Sequence, residues 1–176
     1  MACAGRRTPV KRACLDNNIL IWGVRGVATS GQEELIQRAQ TFFEDLDASD
    51  ADILVPSVVV AEFLAGVPKQ QHLGLLDVLN RRFQVVPFDV RTAAVAAELW
   101  RDAAERNPHL KDQIREAFPG TERAKIKADL MILATALARG ADVLYTHDGP
   151  LKMAAAGRIE VRELPPPRPR QADLLM

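Results

Sequence analysis

The hydrophobic and polar positions of the chain follow two alternating patterns. Short apolar runs bounded by polar or turn residues predict buried strands. Longer segments predict amphipathic helices, because their apolar residues recur every three or four positions, as Leu35, Ala39 and Phe42 do. Strands are predicted at residues 12–15, 53–55, 83–88 and 142–145, with an edge strand at 158–164.

Capping residues and helix breakers mark the ends of the predicted helices. Asp16 offers a side-chain cap to the helix after the first strand, and Ser30 with Glu33 has the spacing of a capping box. Pro56 can open a helix that Gly66 ends. Helices are predicted at residues 19–22, 35–46, 57–65, 91–106, 110–118 and 126–137.

Strands that alternate with helices predict right-handed crossovers and a parallel sheet covered on both faces. We therefore expect an α/β protein, a three-layer α/β/α sandwich with a central parallel sheet of about five strands. The folded domain is predicted at residues 12–164. A flexible basic segment at 1–11 and a disordered, proline-rich tail at 165–176 should flank it.

Composition narrows the class of function. The 176 residues suffice for one domain, and the formal net charge of zero means that any nucleic-acid site must be local rather than a property of the whole molecule. Cys3 and Cys14 lack the spacing of a disulfide framework or a CxxC motif. No signal peptide is visible, and the most apolar stretch is too short for a membrane span. These features predict a cytoplasmic protein without a membrane partner.

Four acidic residues occupy positions that the predicted topology brings to one edge of the sheet. Asp16 and Asp148 follow strands, while Glu62 and Asp129 lie in crossover helices among apolar residues. Each has an ordinary structural interpretation as a cap, a turn residue or a solvated helix position. Together, their mutual repulsion favours a bound cation, and Mg²⁺ suits an all-oxygen site.

The segments CLDNNILIW, VPSVVVAEFLAG and IKADLMILATALARGADVLYTHDG, with the final strand, resemble the PIN-domain family in order and separation. The resemblance covers roughly residues 12–164. The family's acidic pattern matches this chain at Asp16 with Asn18, at Glu62, at Asp129 followed by Ile132, Ala134 and Ala136, and at Thr146 with Asp148.

This resemblance implies a VapC-type toxin, an endoribonuclease that depends on Mg²⁺ or Mn²⁺ and leaves a 3′-hydroxyl and a 5′-phosphate. It implies that the four acids are both metal ligands and catalytic residues, supported by Asn18 and Thr146, with no organic cofactor. The implied partners are an RNA substrate, a small antitoxin protein and a second copy of the chain. Asn17 and His147 depart from the residues common at these positions, which concerns fine positioning.

Three other functions remain open at this stage. A PIN-like nuclease could process RNA or cut DNA without being a toxin, and a nuclease-dead PIN module could act only as an interaction surface. A receiver-like phosphoacceptor would also place acids at strand ends, but VLYTHDG lacks the lysine it would require.

Several further residues are weighed without being assigned to the site. His147 could touch metal or phosphate, although a lone histidine in a turn is more often a surface residue. Six basic residues could contact RNA phosphates, although solvated faces are the commoner place for them: Arg6, Arg7, Lys11, Arg12, Lys125 and Lys127. Trp22 and Trp100 are interpreted as packing or partner-interface residues. We expect exposed apolar residues around Ile21 and Trp22 to receive an antitoxin.

Overall fold

A parallel five-stranded sheet forms the centre of the computed structural model, which describes residues 10–105 and 109–166. The strands are β1 (Arg12–Leu15), β2 (Asp52–Pro56), β3 (Gln84–Val86), β4 (Val143–Tyr145) and β5 (Glu160–Arg162). Their order is β3-β2-β1-β4-β5, and every neighbouring pair is parallel. The predicted parallel sheet of about five strands is confirmed.

The strand order reverses direction beside β1. The chain first moves outward from β1 to β2 and β3, and then returns to the other side of β1 as β4 and β5. Leu15 at the end of β1 lies opposite Tyr145 at the end of β4. Open α/β sheets bind ligands beyond the carboxyl ends of their strands at such a reversal. The residues that follow β1 and β4 therefore meet where this fold most readily forms a site.

Helices cover both faces of the sheet, as right-handed crossovers in two opposite directions require. The three-layer α/β/α sandwich is thus confirmed. Within the described residues the helices are α1 (Asn17–Leu20), continued by a π-helical turn (Ile21–Arg25), α2 (Glu34–Asp47), α3 (Ser57–Ala65), a 3₁₀ turn (Lys69–Gln71), α4 (His72–Arg82), α5 (Val90–Glu105), α6 (Leu110–Ala117), α7 (Arg123–Ala138) and α8 (Gly149–Ala155).

Local capping explains where one of these helices begins and where another ends. Asp16 caps α1 as predicted, because its side chain accepts a hydrogen bond from the Asn17 N–H. Gly66 is the C-cap of α3, also as predicted. The predicted capping box of α2 is wrong: the helix starts after Glu33, whose carboxylate instead accepts from the Gly31 N–H.

The hydrophobic pattern did not predict two helices, α4 and α8. Helix α4 presents only Leu79 as a fully buried residue and leaves Leu73 78% exposed, so it lacks a clear apolar stripe. Helix α8 begins at Gly149-Pro150, a dipeptide that by itself indicates a turn. Proline is nonetheless well suited to the first turn of a helix, and Asp148 caps α8 through the Leu151 N–H.

The core lies between the sheet and its helices, and the inner strands are buried along most of their length. Cys14 is fully buried, and burial raises the pKa of its thiol. The expectation of exposed apolar surface around Ile21 and Trp22 is wrong. Trp22 is only 5% exposed, because α2 packs against the π-helical turn and the indole ring meets His147.

Two further expectations concern the chain ends and membranes. Most of the predicted flexible segment 1–11 and of the tail 165–176 lies outside the described residues, so these boundaries stay predictions. Among the residues described, no helix has the length and apolarity needed to cross a bilayer.

Candidate active site

Asp16 lies at the carboxyl end of β1, directly at the reversal of strand order. Its Oδ1 accepts from the Asn17 N–H at 2.7 Å, and its Oδ2 accepts from the Thr146 hydroxyl at 2.6 Å. The residue is 5% exposed, and burial raises the pKa of the Asp16 carboxyl although both hydrogen bonds lower it. Asp16 is therefore held rigidly where a charged oxygen is costly without a counter-ion.

Thr146 joins Asp16 to Asp148. It is fully buried just beyond β4, donates its hydroxyl proton to Asp16 and accepts from the Asp148 N–H at 2.9 Å. The Asp148 side chain then accepts from the Leu151 N–H at 2.9 Å as the cap of α8. One hydroxyl thus fixes the relative position of two carboxylates from different strands.

Asp129 enters the same region from α7 and is 4% exposed. Its Oδ2 is buried and has no hydrogen-bond partner in the described part of the chain. Burial is the main cause that raises the pKa of Asp129 to about 7, and the charges of Asp148 and Asp16 raise it further, against the opposing effect of Lys125. An unpartnered buried carboxylate oxygen costs stability unless a ligand completes it.

Glu62 approaches from α3, which packs against α1 and α7. Burial raises the pKa of Glu62, and the negative charges of Asp16 and Asp148 add to that effect while Lys125 opposes it. The Glu62 carboxylate is therefore within electrostatic reach of Asp16, Asp148 and Lys125. The acidic cluster, as we call Asp16, Glu62, Asp129 and Asp148, is therefore brought together by five separate elements: β1, α3, α7, β4 and α8.

Lys125 is the residue of this region that sequence reasoning did not assign to the site. Its ammonium Nζ lies 2.7 Å from Asp148 Oδ2 and 3.5 Å from Asp129 Oδ1. Burial alone would lower the pKa of Lys125, but the hydrogen bond to Asp148 and the neighbouring carboxylates raise it above its ordinary value. The i,i+4 spacing of Lys125 and Asp129 was the available signal.

His147 has a structural environment rather than an open one. Its Nε2 accepts from the Leu164 N–H at 3.0 Å, and its ring packs edge-on against Trp22 with centroids 5.0 Å apart. Burial lowers the pKa of His147. The histidine thereby ties the loop after β4 to the end of the last strand.

The segment around α6 also borders the cluster. The Phe118 ring, at the end of α6, lies so close to Gly149 that a Cβ atom there would be 2.2 Å from the ring. Glycine is required beside Asp148 for this close approach. The predicted short helix at residues 110–118 is confirmed, and it buttresses the start of α8.

The donor set fits a hard divalent cation in its chemistry. All four side chains offer carboxylate oxygens, which Mg²⁺ and Mn²⁺ prefer, and Asp129 Oδ2 is buried with no partner from the part of the chain that the structure describes. In the described residues, no three acidic, histidine or cysteine side chains surround one point closely enough to hold a metal as they stand. The side chains must therefore adjust to share an ion, and Lys125 lies between two of them.

Comparison with known proteins agrees with this architecture. A family model described as the PIN domain matches residues 13–156. No curated protein sequence matches the chain.

Solved structures with a similar fold include three toxin–antitoxin complexes. VapBC2 from Rickettsia felis bound to a DNA fragment from their promoter matches with TM-score 0.56 and 18% identity, over 86% of this chain and 98% of that chain. DNA-bound VapBC from Salmonella typhimurium matches with TM-score 0.57 and 17% identity, over 88% of this chain and 98% of that chain. VapBC-1 from nontypeable Haemophilus influenzae matches with TM-score 0.54 and 14% identity, over 87% of this chain and 98% of that chain. At such identities the likeness concerns the fold.

Proposed function

The chain belongs to the PIN domain family, and on that premise we propose that it is a metal-dependent endoribonuclease, the toxin of a VapBC-type toxin–antitoxin pair. PIN domains are generally nucleases that use divalent metals. The observation that carries the proposal is the buried Oδ2 of Asp129, which has no hydrogen-bond partner among the described residues and lies near the charges of Asp148 and Asp16. A purely structural carboxylate would have been satisfied by a donor.

In this proposal the four acids hold the metal ion, and Thr146 orients two of them. Asp16, Glu62, Asp129 and Asp148 would bind Mg²⁺ or Mn²⁺, and Thr146 would keep Asp16 and Asp148 at a constant separation. When bound, the ion would neutralise charge on the scissile phosphate and activate a water molecule. Asn18, in the first turn of α1, stays a predicted supporting residue.

RNA cleavage is tested directly with the purified chain. We expect cleavage with Mg²⁺ or Mn²⁺ and none with EDTA. Asp16→Asn keeps the side-chain shape but removes a charged ligand, and we expect at least a roughly 100-fold lower rate. The matched control is Asp77→Asn, because Asp77 is exposed on α4 and pairs only weakly with Arg81 at 4.0 Å. Equal activity of wild type and Asp16→Asn would contradict the proposal.

The toxin assignment draws on the named VapBC complexes with the same fold. Expression of the chain alone in a bacterial host should arrest growth, and Asp129→Ala should relieve the arrest. Co-expression of the product of an adjacent short reading frame should also relieve it. Harmless expression of wild-type chain that cleaves RNA when purified would favour a processing nuclease. Analytical ultracentrifugation would test the proposed homodimer, and fractionation the proposed cytoplasmic location.

A further inference from the structure

The positive charge of Lys125 lies beside two carboxylates of the acidic cluster, those of Asp148 and Asp129. Its side chain comes from the first turn of α7, one helical turn before Asp129. The 2.7 Å contact with Asp148 is a charge-assisted hydrogen bond, whereas the 3.5 Å approach to Asp129 is a longer ion pair. Lys125 therefore interacts more strongly with Asp148 than with Asp129.

The four carboxylates differ in the hydrogen-bond and ion-pair partners that their oxygens already have. Both oxygens of Asp148 are engaged, one by the Leu151 N–H and the other by Lys125. The oxygens of Asp16 also accept one hydrogen bond each, but both donors are uncharged. Asp129 Oδ2 is without a partner in the described residues. Among these aspartates, Asp148 thus has its charge most directly neutralised by a cation, and Asp16, Glu62 and Asp129 are the acids with which a metal ion would interact most strongly.

We propose that Lys125 is a built-in second cation of this site: its ammonium group stays paired with Asp148, which then does not act as the metal ligand proposed above, while Asp16, Glu62 and Asp129 hold a single divalent ion. The inference rests on the proposed function and concerns how many metal ions that site takes. It also assigns Lys125 a role toward substrate. The side chain is 44% exposed, so its remaining N–H groups stay open to a phosphate oxygen of bound RNA.

A second lysine on the same helix provides a matched control. Lys127 lies on another side of α7, with its Nζ 5.2 Å from the centre of the Trp100 ring. It borders a pocket of about 100 Å³ lined by Trp100, Lys111, Arg123, Ile126, Lys127 and Leu130. Lys125 is not among those lining residues. Lys125 and Lys127, two residues apart on one helix, therefore differ in their surroundings. Carboxylates lie beside Lys125, and the Trp100 ring lies beside Lys127.

Mn²⁺ binding to the full chain tests the proposal without using activity. Isothermal titration calorimetry should give one ion per wild-type chain. Lys125→Met and Lys125→Gln should each bind Mn²⁺ at least tenfold more tightly, because a charge that repels the ion has been removed. Lys125→Arg should return the affinity to within about threefold of wild type, since the charge is restored. Lys127→Met should match wild type.

Two results would overturn the inference: two ions bound by the wild-type chain, or an unchanged Mn²⁺ dissociation constant in both Lys125→Met and Lys125→Gln. The glutamine variant retains a hydrogen-bond donor for Asp148, so it separates charge from packing. Failure of the proposed function is distinguishable, because a wild-type chain that binds no Mn²⁺ would contradict the metal site itself along with this inference. Binding that ignores Lys125 would contradict the inference alone.

Discussion

The two ends of the sheet both carry aspartates, but their surroundings are opposite. At the amino end, where the strands begin, Asp142 Oδ2 accepts from the Lys11 and Arg12 N–H groups, and Asp52 pairs with the Arg12 guanidinium at 3.2 Å. At the carboxyl end, the acidic cluster shares one ammonium group, and Asp129 keeps a buried oxygen without a partner in the described residues.

The pKa values follow this difference. Hydrogen bonds from the Arg12 and Lys11 backbones lower the pKa of the exposed Asp142 carboxyl. Burial raises the pKa values of Asp16, Glu62 and Asp129, and the neighbouring carboxylates add to the increase. One end of the sheet thus stabilises negative charge with the chain's own donors, whereas the other end accumulates negative charge beyond what the chain neutralises.

An acidic residue at a strand end is therefore not by itself a sign of function. The informative quantity is the balance between carboxylates and the donors or cations that face them. Where donors suffice, the carboxylate contributes to the fold. Where they fall short, the fold gives up stability, and an external cation can restore it.

The largest expected effect of this contrast is on catalysis. Asp129→Asn should lower the rate of Mn²⁺-dependent RNA cleavage by at least about 100-fold, because the carboxyl end of the sheet then loses one of its metal ligands. Asp142→Asn should leave the rate within about threefold of wild type. Single-turnover cleavage of a labelled RNA measures both. Comparable losses in the two variants would mean that the ends of the sheet do not differ in function.

Metal binding should separate the two ends by stability. At a free Mn²⁺ concentration of 100 times its dissociation constant, the wild-type chain should gain about 2.7 kcal/mol. For a chain of this size that corresponds to a rise in melting temperature of roughly 5–10 °C. Asp142→Asn should keep this rise, and Asp129→Asn should lose most of it. Melting curves with EDTA and with Mn²⁺ provide the comparison, and an unmoved wild-type curve would remove the basis of the metal site.

The pH dependence of stability in EDTA should report the same imbalance. Because the folded-state pKa of Asp129 is raised from 3.8 to about 7, the folded chain binds more protons than the unfolded chain between these values. The free energy of unfolding should then fall as pH rises from 5 to 7, by about 2 kcal/mol. Urea titrations at several pH values measure this slope. Asp129→Asn should flatten it, whereas Asp142→Asn should not, because a lowered pKa acts only at more acidic pH.

The smallest expected effect is on the metal-free fold. At pH 7 in EDTA, Asp142→Asn should lower the melting temperature slightly, since two backbone N–H groups lose a charged acceptor. Glu62→Gln should leave it unchanged or raise it, because removing one negative charge relieves repulsion in the acidic cluster. Destabilisation by Glu62→Gln as large as that by Asp142→Asn would indicate that Glu62 is structural.

Much of the fold was predictable because its signals are local. Apolar runs located all five strands, and Gly66 marked the end of α3. The two unpredicted helices lack such signals: α4 has little buried apolar surface, and α8 begins with a turn-like Gly149-Pro150. The capping box expected at Ser30 and Glu33 failed because Glu33 turns back to the Gly31 N–H instead.

The features of the site likewise divide into those that the sequence predicted and those that only the tertiary structure revealed. By itself the sequence placed Asp16 and Asp148 after strands and Glu62 and Asp129 in crossover helices at the same edge of the sheet, and the family resemblance added their roles as metal ligands. Only the tertiary structure decided that Thr146 donates to Asp16, a contact between residues 130 positions apart. It also decided that Trp22 is buried rather than exposed.

The two lysines of α7 show the physical reason. The sequence predicted a helix at residues 126–137, with Lys127 inside it and Lys125 directly before it. It did not distinguish their surroundings, because helical position depends on local residues whereas electrostatic environment depends on what packs around the helix. Long-range packing put Lys125 against Asp148 and left Lys127 over Trp100. Hydrophobic periodicity thus determined most of the elements along the chain, and the folded arrangement alone determined which charges meet.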